Sequence, residues 1–250
     1  MTCRPQPLFL LLLAACVQPT SGPHLSGPCA DPARRPEALI VAGSGSNLAL
    51  ARRIGASFGA VVPPSIGTAG AIQALLDGEI DVGLASRPLS AAEEDRGVRT
   101  VPWARCPFGP VARRGERTDL HGGQLAAMLA GEGDSLVFLR EPGDSGQALL
   151  RTWSPAVAAA LDEALRRDRW PVLTTDQQMR DAVAANPGAI GFLDSSTVTP
   201  DLTLLAGSPL HKELSLLLPP SAPPRAKEFA QYATSPAAAP LIEAAGCQPR

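Results

Sequence analysis

Residues 66–89 read IGTAGAIQALLDGEIDVGLASRPL, and this stretch decides the fold. A Gly/Thr turn, Gly67-Thr68-Ala69-Gly70, leads into a helical segment over Ala69–Leu76. Asp81–Ala85 follows as a short apolar strand, closed by Ser86-Arg87-Pro88. A turn, a helix and a strand in so little chain form the repeating unit of an α/β protein.

The same alternation continues in both directions. Upstream, Leu39–Ala42 reads as a buried strand, the turn Gly43-Ser44-Gly45-Ser46-Asn47 follows, and Leu48–Phe58 is helical. A second strand is expected near Ala60–Ile66, weakened by Pro63-Pro64. Downstream, Val98–Trp103 and Pro110–Arg113 are extended, Gly123–Leu129 is helical and Leu136–Leu139 is a strand. Helices near Gly146–Trp153 and Pro155–Arg167, strand Pro171–Thr174 and helix Asp176–Ala185 come next. Strands Ala189–Leu193 and Glu213–Leu218, then helices near Pro224–Ala233 and Pro236–Ala245, complete the chain. Strands alternating with helices imply mixed, mostly parallel sheets.

Composition narrows the function. The 250 residues carry 22 Lys plus Arg against 24 Asp plus Glu, a net charge of −2, so the basic stripe of a nucleic-acid binder is missing. Aromatic residues are only 4%, too few for base-stacking or sugar-stacking platforms.

The N-terminus reads as an export signal. Arg4 precedes the apolar run Leu8–Ala15, which is too short to span a bilayer and fits a signal-peptide core. It ends in Leu13-Ala14-Ala15-Cys16, which resembles the lipobox of bacterial lipoproteins, with Cys16 as the lipidated first residue. Residues 1–15 are then signal and 16–37, rich in Pro, Ser and Gly, a flexible tether. Cys29, Cys106 and Cys247 remain for an oxidising compartment, and a Cys29–Cys247 disulfide is the expected pairing. These cysteines match no zinc spacing with His24, His121 or His211, and no metal or cofactor is implied.

The chemistry sits at three Gly/Ser-rich turns that each precede a helix: Gly43–Asn47, Gly67–Gly70 and Gly143-Asp144-Ser145-Gly146. A helix N-terminus offers unpaired N–H groups and a partial positive charge. Gly lets backbone approach a ligand, and Ser and Thr hydroxyls add donors. Several such turns converging on one point make an anion site without a cluster of Lys. The ordinary alternative is that Ser, Thr and Asp only cap their helices. Leu48 stands where a dinucleotide fingerprint needs Gly, and no Gly-Lys-Ser/Thr of a P-loop exists. Gly143–Gly146 also resembles the nucleophile turn of trypsin-like proteases, but His121 lies in the wrong setting and the helix content excludes a double β-barrel.

Together these segments resemble the phosphate-type substrate-binding proteins of ABC importers, which have the type II periplasmic-binding fold. The resemblance covers Leu39–Pro249. Ile40–Ser46 is similar to the family's first strand and anion turn, and Gly78–Leu89 to its G-x-x-D-x-G-x-x-S-R-P-L motif. Arg140 with Ser145-Gly146 resembles the R…S-G-T loop. Gly188–Phe192 resembles the family's G-A-I-G-Y strand, and Ser235–Pro249 its terminal helix. The resemblance implies two α/β lobes, 38–102 with 206–250 and 103–205, crossing near Pro102–Ala104 and Pro200–Leu205. It further implies a monomer that binds phosphate or a related oxyanion and delivers it to an ABC permease. A sensor or scavenger lipoprotein without transport is the second reading, and an enzyme is not expected.

Carried over by position, Ser46 and Asn47 fall at the first anion turn and Thr68 at a hydroxyl contact. Ser86 falls where some members carry a proton-accepting Asp, and Ser145, Gly146 and Arg140 at the second-lobe turn. This chain departs in having Gln147 for the Thr of S-G-T, and Arg140 lies one residue further from Ser145 than usual. With Ser86 at the Asp position, Asp144 is the nearest acidic candidate, and capping its helix is the competing role.

Overall fold

A computed structural model describes residues 38–250, so the expected signal peptide, Cys16, the tether and Cys29 lie outside the described residues. The first strand, β1 (Val41–Gly43), ends in a 3-10 turn that runs into α1 (Leu48–Gly55). After α2 (Gly67–Leu76) comes β2 (Val82–Ala85), which pairs in parallel with β1. The short α3 (Ala91–Glu94) leads to β3 (Arg99–Arg113), the longest strand.

The second half contains α4 (Gly122–Ala130), β4 (Leu139–Arg140), α5 (Ser145–Leu150), α6 (Pro155–Arg166), β5 (Val172–Leu173) and α7 (Asp176–Ala185). Then follow β6 (Gly191–Asp194), β7 (Leu202–Leu204), β8 (His211–Leu218), α8 (Pro224–Ala233), α9 (Ala239–Glu243) and β9 (Gln248–Pro249). The main sheet runs β1-β2-β8-β3-β6, with β7 and β9 also on β3, while β4 and β5 form a separate parallel pair.

The sheets are mixed, but less parallel than the alternation of strands and helices implies. Every ladder on β3 is antiparallel, including its long pairing with β8. Pro102, Pro107 and Pro110 make β3 read as two extended pieces, yet it is continuous. The register slips between Pro102 and Ala104, so Trp103 bulges into the core. Trp103 Nε1 donates to Asn47 Oδ1 at 3.0 Å.

Each lobe is a sheet buried on both faces. In β8, Leu214, Leu216 and Leu218 pack with Leu50 and Ile54 of α1 and Phe229 of α8, while Leu217 packs with Ile72 and Leu75 of α2. In the second lobe, Phe108 packs with Leu125 of α4 and Leu161 of α6, and Val111 with Met179 and Val183 of α7. Burying a Leu or Phe contributes about 1.5–3 kcal/mol, so these layers carry the lobes. Leu202, Leu205 and Leu210 pack in the second-lobe cores.

The disulfide joins Cys106 to Cys247, with Cα atoms 4.2 Å apart, and corrects the expected Cys29–Cys247 pairing. The cause is local: Gln248 and Pro249 ladder onto Arg105 and Ala104, which brings Cys247 against the β3 crossing. Among the described residues, no helix is long and apolar enough to cross a membrane.

Candidate functional site

Five stretches of chain meet between the lobes. The turn after β1 contributes Ser44 and Gly45, the start of α2 contributes Ser65 to Ala69, and Ser86 and Arg87 follow β2. The second lobe contributes Arg140 to Ser145 and Thr174 to Asp176. The cleft they line has a volume of about 500 Å³.

A chain of hydroxyls crosses this cleft. Ser44 Oγ lies 2.7 Å from Ser86 Oγ, which lies 2.9 Å from Ser145 Oγ of the opposite lobe. Thr68 Oγ1 accepts the Ser86 N–H at 3.4 Å. Ile66 at the capping position of α2 offers no side-chain acceptor, and the Gly67 N–H at its first residue, where φ reaches 71°, donates to Ser65 Oγ at 3.4 Å. These are hydrogen-bonding groups without net charge, gathered at a helix N-terminus that favours anions.

The expected site residues therefore separate into two sets. Thr68, Ser86, Arg140 and Ser145 line the cleft. Ser46 and Asn47 do not; both are fully buried, and Ser44 of the same turn faces the cleft instead. Asn47 Nδ2 donates to Ala85 O at 3.0 Å, so it ties the turn to β2. Ser46 Oγ donates to Asp176 Oδ2 at 3.3 Å and accepts from Lys212 Nζ at 2.7 Å. Gly146 also lies behind the cleft: its N–H and that of Gln147 both donate to Asp144 Oδ1, at 2.9 and 3.0 Å.

Arg140 is held by carboxylates. Its Nη1 donates to Asp176 Oδ1 at 2.8 Å, and Nη2 reaches Asp144 Oδ2 at 3.1 Å and Glu141 Oε1 at 3.3 Å. Nε and Nη2 also donate to the carbonyls of Leu173 and Thr174. Burial opposes its charge, but Asp176, Asp144 and Glu141 together hold its pKa above the ordinary value. Asp144 thus caps α5 and pairs with Arg140 at once. Arg87 is similarly paired, donating to both oxygens of Glu93 at 2.8 and 2.9 Å.

Behind the floor lies a polar layer with no clear sequence signal. Lys212, only 2% exposed, sits 4.9 Å from the Phe108 ring centroid and donates to Ser46. Asp194 is fully buried and accepts from Ser196 and Thr197. Desolvation pushes its pKa up, Lys212 opposes the rise and Asp176 adds to it. Gln147, also 2% exposed, has no partner for either amide atom. It borders a small second cavity of about 10 Å³ walled by Arg140, Asp144, Asp176 and Lys212. Asp176 reads in the sequence only as a helix start, and Lys212 lies just outside the expected strand Glu213–Leu218.

Residues 32–212 match the family model for a PBP superfamily domain. No curated protein matches the chain. Among solved structures, it is similar to a putative phosphate ABC transporter substrate-binding protein with bound phosphate from Clostridium perfringens. Identity there is 16% and TM-score 0.70, covering 85% of this chain and 99% of that one. The periplasmic molybdate-binding protein of Azotobacter vinelandii aligns at 16% identity and TM-score 0.65, covering 84% and 98%. An ABC-type phosphate transport receptor from Vibrio cholerae aligns at 17% identity and TM-score 0.57, covering 84% and 99%.

Proposed function

The chain belongs to the PBP superfamily, and on that footing we propose that it binds an oxyanion, phosphate foremost, between its two lobes and presents it to an ABC importer. The observation that carries this reading is the hydroxyl chain Ser44–Ser86–Ser145, which spans both lobes beside the N-terminus of α2. An anion entering here exchanges its water for hydroxyl and N–H donors held in place by the fold. Each neutral hydrogen bond contributes about 0.5–1.5 kcal/mol net, and bonds to a charged group about 1.5–3. A handful of the latter reaches the ~8 kcal/mol that a micromolar Kd requires, after the cost of closure.

Export and anchoring through Cys16, docking to a permease, and action as a monomer belong to the same proposal. A binding role rather than catalysis is supported at Ser145, whose hydroxyl partner is Ser86. His121 instead caps α4 and pairs with Asp119.

Calorimetric titration of the purified protein with phosphate, and with sulfate, molybdate and glutamate as controls, tests the reading. Phosphate or another oxyanion should bind, and Thr68→Ala and Ser145→Ala should each weaken binding by about tenfold. Heat with glutamate alone, or no heat with any anion, would overturn it.

A further inference from the structure

The cleft is larger and less uniformly polar than an inorganic anion requires. Ser86 and Ser145 already touch from opposite lobes, yet about 500 Å³ stays open beside them. That lies within the range of about 300–1,000 Å³ typical of pockets for organic small molecules. Part of its wall is apolar: Ile66, Ala69 and Pro142 line the cleft beside the hydroxyls. A bare oxyanion gains nothing from these groups, whereas a short carbon chain loses its exposure to water against them.

The charges lead to the same conclusion. Both guanidiniums in the wall are paired, Arg87 with Glu93 and Arg140 with Asp176, Asp144 and Glu141. A dianion therefore meets neutral donors with the paired carboxylates of Glu141, Asp144 and Asp176 in the same wall, and the attraction available to its charge alone is modest.

Resting on the oxyanion reading above, we infer that the ligand is a small organic phosphate or phosphonate. Its phosphoryl oxygens take the hydroxyls of Ser44, Ser86 and Ser145 and the start of α2. Its carbon chain lies along Ile66, Ala69 and Pro142.

Titration of the purified protein with orthophosphate, methyl phosphate and propyl phosphate tests this directly. Each buried methylene should tighten binding about fourfold, so propyl phosphate should bind about fifteenfold tighter than methyl phosphate. Ile66→Ser should narrow that difference, and an unchanged difference would overturn the placement of the chain. Orthophosphate binding as tightly as both esters, or more tightly, would overturn the inference and leave the oxyanion reading standing. Failure of all three, together with sulfate and molybdate, would overturn the oxyanion reading itself.

Discussion

Gly45 and Asp176 meet where the first-lobe turn touches the second-lobe helix, and a Cβ at Gly45 would overlap Asp176 Oδ2. The contact also brings the Asp176 carboxylate to Ser46 and the Gln177 amide to the Gly45 carbonyl. Gly45→Ala should therefore prop the lobes apart. Overpacking of this kind costs about 1–3 kcal/mol, which should appear as weaker phosphate affinity and a larger radius of gyration in the presence of ligand. Scattering and titration check both, and unchanged values would remove this contact from the closing interface.

Arg140 binds its own protein before it binds anything else. Arg140→Met would leave Asp176 buried, and Asp144 half-buried, without their cation, a change that costs about 3–5 kcal/mol where a buried pair is broken. Urea denaturation of the ligand-free protein should show that loss. Reduced affinity with unaltered stability would instead make Arg140 a ligand group alone.

Glu93 supplies an acid-dependent element. The side-chain hydrogen bond from Arg87 lowers its pKa from the ordinary 4.5 to about 2. A lowered carboxyl pKa stabilises the fold above the unfolded-state value and loses that contribution as the acid protonates. The pair thus contributes fully above 4.5 and is lost as pH falls from there towards 2. Urea midpoints measured down this window should fall less steeply for Glu93→Gln than for the parent protein.

Gln147 carries polar groups that the fold leaves unmet. Its amide nitrogen and oxygen are both buried without a partner. Gln147→Met keeps the length and removes both groups, so it should stabilise the protein by about 1–3 kcal/mol. A rise in the urea midpoint checks this. Destabilisation would show that the small cavity beside Gln147 supplies hydrogen bonds that the amide uses.

The legible part of the fold was local. Gly43–Asn47, Gly67–Gly70 and Asp81–Pro88 specify strand, turn and helix within a few residues, and the structure builds the cleft wall from these turns. The choice between Ser44 and Ser46 was not legible, because they would share one face of an extended turn and part only because the chain enters a 3-10 helix at Gly45. Asp176 and Lys212 were hidden for another reason. Their partners Arg140 and Ser46 lie 36 and 166 positions away, and the pairing depends on how α7 and β8 pack. The disulfide partner was likewise set by β9 docking on β3, a contact that cysteine spacing does not encode.

The bond between Cys106 and Cys247 also decides how the molecule would carry tension. The two cysteines are 141 positions apart and enclose α4 to α9, including all the second-lobe helices. A pull applied at residues 38 and 250 passes from Cys106 to Cys247 through the sulfurs, and the enclosed chain bears no load. Only the segment before Cys106 and the last few residues can be drawn out. Stretching would thus strip Ser44, Thr68 and Ser86 from the cleft, while Arg140 and Ser145 stay in an unloaded loop until the bond is reduced.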